Sequence, residues 1–232
     1  MVSVYNLLTQ WRYRINLIKT VLFNFRKFDF LFAIRFPVLI GNNVIFRNLD
    51  GDVIVKNFNN QGGINKRIRI GFRDMGIQNE RDRKTILDLR KGSSITFEGS
   101  ASIGAGARIY TKGDLVIGDN FYLSLNSQII AHERITFGKD CTVGWDSLIM
   151  DTDFHKVIDI SSGKSFPMTK PIRIGNHCWI CNNVQILKGT ELPKDIIVGS
   201  CSLLNKVYDI PSHSLLAGNP AKVRKIGITH ER

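Results

Sequence analysis

The sequence predicts an all-β solenoid of triangular coils, three short strands to a coil, and two regularities carry that prediction. From Phe97 onward an apolar residue recurs at every sixth position, in groups of three. The groups are Phe97, Ile103 and Ile109; Ile117, Leu123 and Ile129; Phe137, Val143 and Ile149; then, after an interruption, Ile174, Ile180 and Ile186, and Leu192, Val198 and Leu204. Glycine follows the apolar residue at Gly104, Gly118, Gly138, Gly144, Gly175 and Gly199. There a side chain would crowd a tight corner, and glycine also permits positive φ. A spacing of six matches neither a helical period nor plain alternation along one strand. It fits a coil with one inward side chain per face, whose stacked copies bury a continuous apolar column.

Taken in order, the first 36 residues differ from the rest. Leu7, Trp11, Ile15, Ile18, Leu22 and Phe25 fall on one helical face, with Arg12, Lys19 and Arg26 offset from it. Phe28, Phe30, Phe32, Ile34 and Phe36 then alternate as in a strand. This helix-and-strand extension, residues 1–36, either caps the open end of the solenoid or packs on another subunit. The alternative is a basic amphipathic surface lying on a membrane. Residues 37–96 read as irregular initial coils, with strands around Ile40, Asp52 to Val55 and Arg67 to Ile70, and a charged loop over 72–84. The regular β-helix is expected over 97–206 and a C-terminal tail over 207–232. Successive coils at Phe97, Ile117 and Phe137 are twenty residues apart, so two extra residues occupy one corner near Lys112–Gly113 and Glu133–Arg134. A longer excursion, residues 151–170, leaves between two well-formed coils, the usual place for function on a rigid scaffold.

Composition narrows the partners. The 232 residues include 32 Lys and Arg against 20 Asp and Glu, a net charge of +12, with 43% hydrophobic and 22% charged residues. That balance favours anionic ligands such as a nucleotide-bearing cofactor, a nucleotide sugar or anionic lipid. No nucleic-acid-binding motif accompanies it, so no nucleic-acid partner is expected. Cys178 and Cys181 form a CxxC without a second pair, and each of the four cysteines, with Cys141 and Cys201, fills a small-residue slot of the repeat. Buried small residues are therefore expected, and no metal. No secretory leader or bilayer-spanning run is visible, so a cytoplasmic protein is expected, or one at the inner face of the membrane.

The segment that carries chemistry runs Trp145-Asp-Ser-Leu-Ile-Met-Asp-Thr-Asp-Phe-His155. A neutral imidazole at the root of a loop suits removal of a hydroxyl proton near neutral pH. Asp151 and Asp153 are close enough in sequence to orient it or to raise its basicity. The bland alternative is a surface histidine flanked by acids.

With Pro171-Ile-Arg-Ile-Gly-Asn-His-Cys-Trp-Ile180 and Ala217-Gly-Asn-Pro-Ala-Lys-Val-Arg224, this segment resembles the hexapeptide-repeat sugar O-acetyltransferases. These include the maltose, galactoside and nodulation-factor enzymes, and the nearest branch is that of capsule and O-antigen biosynthesis. The resemblance covers Phe97 to Gly227. It implies a left-handed parallel β-helix and a homotrimer with sites in the grooves between solenoids. It also implies acetyl-CoA as cosubstrate and direct attack of a sugar hydroxyl, in a surface polysaccharide or its precursor, on the thioester. His155 aligns with the family's base, and Asn126 with an asparagine near the acceptor, its other reading being a corner turn residue. The pantetheine arm would pass Trp179, Cys181, Gly199 and Ser200, and Lys206 and Arg224 would meet the nucleotide phosphates. Trp145 is a sugar-stacking candidate, or else packs on a neighbouring subunit. The chain departs from the family at Cys181 (usually glycine), at Gly199-Ser-Cys-Ser202 (usually GAGS-like) and at Leu192-Pro193 (usually IG). Three other readings stand beside this one. They are N-acetylation of a nucleotide-linked amino sugar, a non-catalytic scaffold, and a β-helical carbonic anhydrase using His132, His155 and His177, whose HxxxxH spacing is absent.

Overall fold

The computed structural model describes residues 15–58, 66–72 and 83–231. They form a left-handed parallel β-helix. The first coil is β1 (Val38–Ile40), β2 (Val44–Leu49) and β3 (Asp52–Val55). The second is β4 (Ile68–Phe72), β5 (Thr85–Leu89) and β6 (Ser94–Phe97), so the irregular region already coils. The third is β7 (Ala101–Gly104), β8 (Arg108–Thr111) and β9 (Asp114–Ile117). The fourth is β10 (Phe121–Leu123), β11 (Gln128–Ala131) and β12 (Arg134–Phe137). In the fifth, β13 (Thr142–Val143) and β14 (Leu148–Met150) precede the excursion, whose hairpin is β15 (Val157–Ile158) and β16 (Ser165–Phe166), and β17 (Ile172–Ile174) closes the coil. Next come β18 (Trp179–Ile180), β19 (Gln185–Leu187) and β20 (Glu191–Leu192), then β21 (Ile196–Val198) and β22 (Leu203–Leu204). β23 (Ser214–Ala217) adds a further parallel strand, and β24 (Lys222–Ile226) folds back antiparallel on it.

The strands stack into three faces of nine, seven and six strands. The hexad residues are in register through the stack: Ile103 pairs with Leu123, Leu123 with Val143, Val143 with Ile180 and Ile180 with Val198. Ile109, Ile129, Ile149, Ile186 and Leu204 form the second column. Phe97, Ile117, Phe137, Ile174 and Leu192 form the third. All are buried in one core, each such side chain stabilising the fold by roughly 1.5–3 kcal/mol relative to exposure.

The corner glycines are required for space and not for backbone sign. A Cβ on Gly118 would lie 2.3 Å from the Gly138 carbonyl oxygen. None of the six glycines has positive φ; that conformation falls two residues later, at Asn120, Asp140, Asp146, His177 and Cys201. Short polar side chains tolerate the left-handed region better than most.

Helix α1 (Leu17–Lys27) lies against the first coil with the opposite face inward from the one its apolar pattern suggests. Asn24 Nδ2 donates to the Val38 carbonyl while its Oδ1 accepts from Val38 N, and Thr20 Oγ1 accepts from Ile40 N. Lys19 Nζ donates to the carbonyls of Asn42 and Val44, and Lys27 Nζ to those of Leu49 and Gly51. The Asn24 and Thr20 bonds satisfy the open edge of β1 and the lysine bonds the carbonyls along β2 and its corners, groups which an apolar helix face would leave unpaired. Phe23 alone of the helix's apolar residues is buried, stacking on Phe46. Ile18, Leu22 and Phe25 point outward. Leu7, Trp11 and Arg12 lie outside the described residues. The alternation over residues 28–36 does not make a strand. Asp29 caps a short helix, α2 (Phe30–Ala33), by accepting from Phe32 N, and a capping carboxylate outweighs alternation in so short a run. No described helix is long and apolar enough to cross a membrane.

Candidate active site at two corners of the solenoid

The excursion begins where a carboxylate replaces a backbone carbonyl. One coil earlier, the amides of Lys112 and Gly113 donate to the Ala131 carbonyl, and that of Asp114 to Glu133. One coil on, the corresponding amides of His132, Glu133 and Arg134 donate to the Asp151 carboxylate at 2.7, 2.9 and 2.8 Å. The buried side chain thus ends the ladder at the two-residue corner and frees the main chain to leave. Burial pushes the Asp151 carboxyl up, against the pull of its three amide donors.

The loop root is held at both ends. Thr152 bridges Thr169, and Lys170 N donates to the Asp151 carbonyl. Lys188 Nζ pairs with Asp153 and donates to the Pro167 carbonyl. Phe154 has φ +61°, its amide donates to Thr152 Oγ1 at 3.0 Å, and its ring packs edge-on against His132 at 5.0 Å. His132 in turn lies on Tyr110 at 5.4 Å. His155 follows this pinned turn and is exposed. Amide donors occupy the Asp151 carboxylate and Lys188 the Asp153 carboxylate, so each acid that the sequence offered to His155 has another partner. Lys188 was missed in the sequence, although it stands eighteen residues before Lys206, at the same position of the preceding coil.

The remaining candidates divide between two corners of the seven-stranded face. At the corner entering it lie Asn126, Trp145, Cys181, Gly199 and Ser200, on successive coils. Asn126 has φ +58° and its Nδ2 donates to Asp146 Oδ1 at 3.0 Å, so it serves as a corner turn residue. Ser200 Oγ donates to Asn182 Oδ1 at 2.7 Å. Arg224, on β24, bends over the end of this corner, its Nε donating to the Ala217 carbonyl at 3.0 Å. At the corner leaving the face lie the His155 loop, Lys188 and Lys206, the last with its ammonium over Tyr208 at 5.4 Å. Crossing from Ser147 to Asp151 takes four extended residues, about 13 Å. The corner of Asn126 and Trp145 and that of His155 and Lys206 thus flank the face without meeting in one chain. Trp179 sits apart, exposed on the nine-stranded face against His230 at 5.6 Å.

Between the corners, the outer surface of the face forms two connected grooves. One, of about 550 Å³, is lined by Arg83, Lys84, Arg108, Asn126 and Asp146 among others. The second, of about 440 Å³, shares Ile86, Arg108 and Gln128 with it and runs past Arg47 and Tyr110 to Phe154. The floor is basic and lightly aromatic, suited to an anionic, ring-bearing ligand. Cys141 and Cys178 are buried side by side on neighbouring coils, Cys181 is half-buried, Cys201 is exposed, and all are free thiols.

No protein-family model matches the chain. Its sequence is similar to a polysialic acid O-acetyltransferase of Escherichia coli O1:K1 / APEC, 32% identical over 129 residues, which are 55% of this chain and 41% of that protein. The chain thus spans less than half of that relative's length. It is also similar to the galactoside O-acetyltransferase of Escherichia coli strain K12, 29% identical over 181 residues, 68% of this chain and 86% of that protein. In structure it resembles the polySia-specific acetyltransferase NeuO, with a TM-score of 0.54 at 23% identity over 82% of this chain and 88% of that one. The resemblance to the hexapeptide-repeat O-acetyltransferases therefore holds in sequence, and the β-helical fold in structure.

Proposed function

We propose that this chain is an acetyl-CoA-dependent O-acetyltransferase that modifies a sugar hydroxyl of a surface polysaccharide or its precursor, acting on the cytoplasmic side of the membrane. The observation that carries the reading is the presentation of His155. It is exposed at the end of a doubly clamped loop root, next to Phe154, which lines the groove on the seven-stranded face. A base needs this combination of fixed backbone and open access. An unprotonated imidazole nitrogen takes the hydroxyl proton as the sugar oxygen attacks the thioester carbonyl. The tetrahedral oxyanion collapses, the C–S bond breaks, and the imidazolium returns the proton to the coenzyme A thiolate. Asp151 and Asp153 act as positioning residues for the loop.

Acetyl-CoA supplies the activated acyl group. The row of Cys181, Gly199 and Ser200, small residues continuing the line of Trp145, leaves room along that corner for a pantetheine arm, and Arg224 and Lys206 offer cations for its phosphates. Trp179 stands on the nine-stranded face against His230 and lines neither groove. Since the two sets flank one face, a complete site joins the corner of one protomer to the opposite corner of its neighbour, which supports a homotrimer. The basic groove favours an anionic acceptor. His155→Ala is expected to lower sugar-dependent thiol release at least about 100-fold while leaving coenzyme A binding intact. Undiminished turnover removes His155 from the mechanism. Faster turnover with amino sugars than with hydroxyl sugars favours N-acetylation, and absence of coenzyme A binding favours a scaffold.

A further inference from the structure

α1 and α2 carry an apolar surface that the solenoid does not use. α1 spends its polar side on the open edge of β1, and Leu17, Ile18, Val21, Leu22, Phe25, Phe30, Leu31 and Ile34 are left exposed. Ile18 and Leu31 are 74% and 73% exposed. On an ordinary amphipathic cap such residues face the core. Charge here is equally one-sided: residues 1–36 hold six Lys and Arg (Arg12, Arg14, Lys19, Arg26, Lys27 and Arg35) against the single acid Asp29. Lys19 and Lys27 are spent on the first coil, but Arg26 and Arg35 are exposed among the apolar residues; such a face, on helices too short to span a bilayer, has the makings of an interfacial anchor.

We propose that this end of the molecule docks on an anionic lipid bilayer, and that the acceptor is a glycan carried on that bilayer. The second half of the inference rests on the acetyltransferase reading; the docking does not. A third groove, of about 760 Å³, opens beside the helix between Val21, Leu22, Phe25 and Phe46, and it contains Arg47. Arg47 also lines the groove that ends at Phe154. The two grooves thus meet at Arg47, and the second runs along the seven-stranded face to Phe154, the residue before His155. From β2 to β14 it crosses four strand spacings, about 19 Å, a height that a bilayer-tethered sugar chain of a few residues spans. Side-by-side packing of protomers leaves the solenoid ends free, so the caps of a trimer share one plane and bind together.

The test is co-sedimentation of the full chain with vesicles of phosphatidylcholine alone and of phosphatidylcholine mixed with phosphatidylglycerol. The wild type is expected to pellet with the mixed vesicles at low salt, and much less with the neutral ones. Ile18→Asp combined with Leu31→Asp is expected to cut that binding about tenfold or more, with unchanged melting temperature and unchanged thiol release on a soluble glycan fragment. On the same glycan tethered to mixed vesicles, the wild type should outpace the double variant. Failure of the wild type to bind either vesicle overturns docking, as does equal binding by the variant. A large drop in the variant's melting temperature without lipid binding shows that residues 1–14 cover the face instead. A wild-type assembly larger than a trimer that the variant disperses assigns the face to a second copy. No thiol release with any glycan defeats the acetyltransferase reading and leaves the vesicle result standing.

Discussion

His132, between the rings of Tyr110 and Phe154, ties the excursion to the coil beneath it. Burial, with the Lys112 ammonium nearby, holds its imidazole below the usual 6.5, against the pull of Asp151. The folded protein therefore binds fewer protons at this site than the unfolded chain. The stability so gained is complete above 6.5 and is lost as pH falls through the lowered folded value. Melting curves between about pH 7.5 and pH 5 should show a decline that His132→Phe flattens; an identical decline in the variant assigns it to other groups. The same residue shows what was legible at this scale. His155 stood out because an imidazole beside two acids is a recognisable combination, but the acids' partners did not. Asp151 answers amides seventeen to nineteen residues earlier, a pairing visible only once coils are stacked.

Among the elements, the coils from Phe97 onward could be read directly, since one inward residue per face imposes a spacing that nothing else in the chain imitates. The end cap could not. Apolar periodicity marks a helix but does not say which side docks, and here Thr20, Asn24, Lys19 and Lys27 dock because an open strand edge demands hydrogen bonds before it demands apolar cover. The excursion depends on a similar substitution of side chain for main chain. Asp151→Asn keeps the size but offers one acceptor oxygen where the amides need two, and turns an NH₂ toward donors. A cost of about 1–3 kcal/mol is expected, as for a buried donor left unpaired. Hydrogen exchange should quicken at the amides of His132, Glu133 and Arg134, and thiol release should fall with it. Protection equal to the wild type would mean that the carboxylate is dispensable at the loop root.

For the molecule as a whole, the division of candidate residues between two corners makes the site, on the reading proposed above, a matter of assembly. A protein carrying His155→Ala and another carrying Trp145→Ala with Arg224→Ala should each be nearly inactive. Co-refolded in equal amounts, they should recover about a quarter of wild-type activity, because random mixing pairs two intact corners at that frequency. No recovery beyond the sum of the parents would place all the chemistry within one chain. This division was open to the sequence in principle. The residue number within a coil gives the corner, so Ser200 and Lys206, six residues apart, had to lie on opposite sides of one face. The family resemblance suggested the pairing of protomers; the register places the two sets of candidates on opposite corners of one face.

The bridge between Thr152 and Thr169 and the bond from Lys170 N to the Asp151 carbonyl make the intervening stretch an exchangeable cassette. Lys188 and His132 hold its first and last residues, Asp153, Phe154 and Pro167, against the frame, so the residues between them can lengthen or change composition without retuning a coil. On the reading proposed above, a new acceptor preference needs only the rewriting of a peptide of fewer than twenty residues, with every coil of the scaffold left in place.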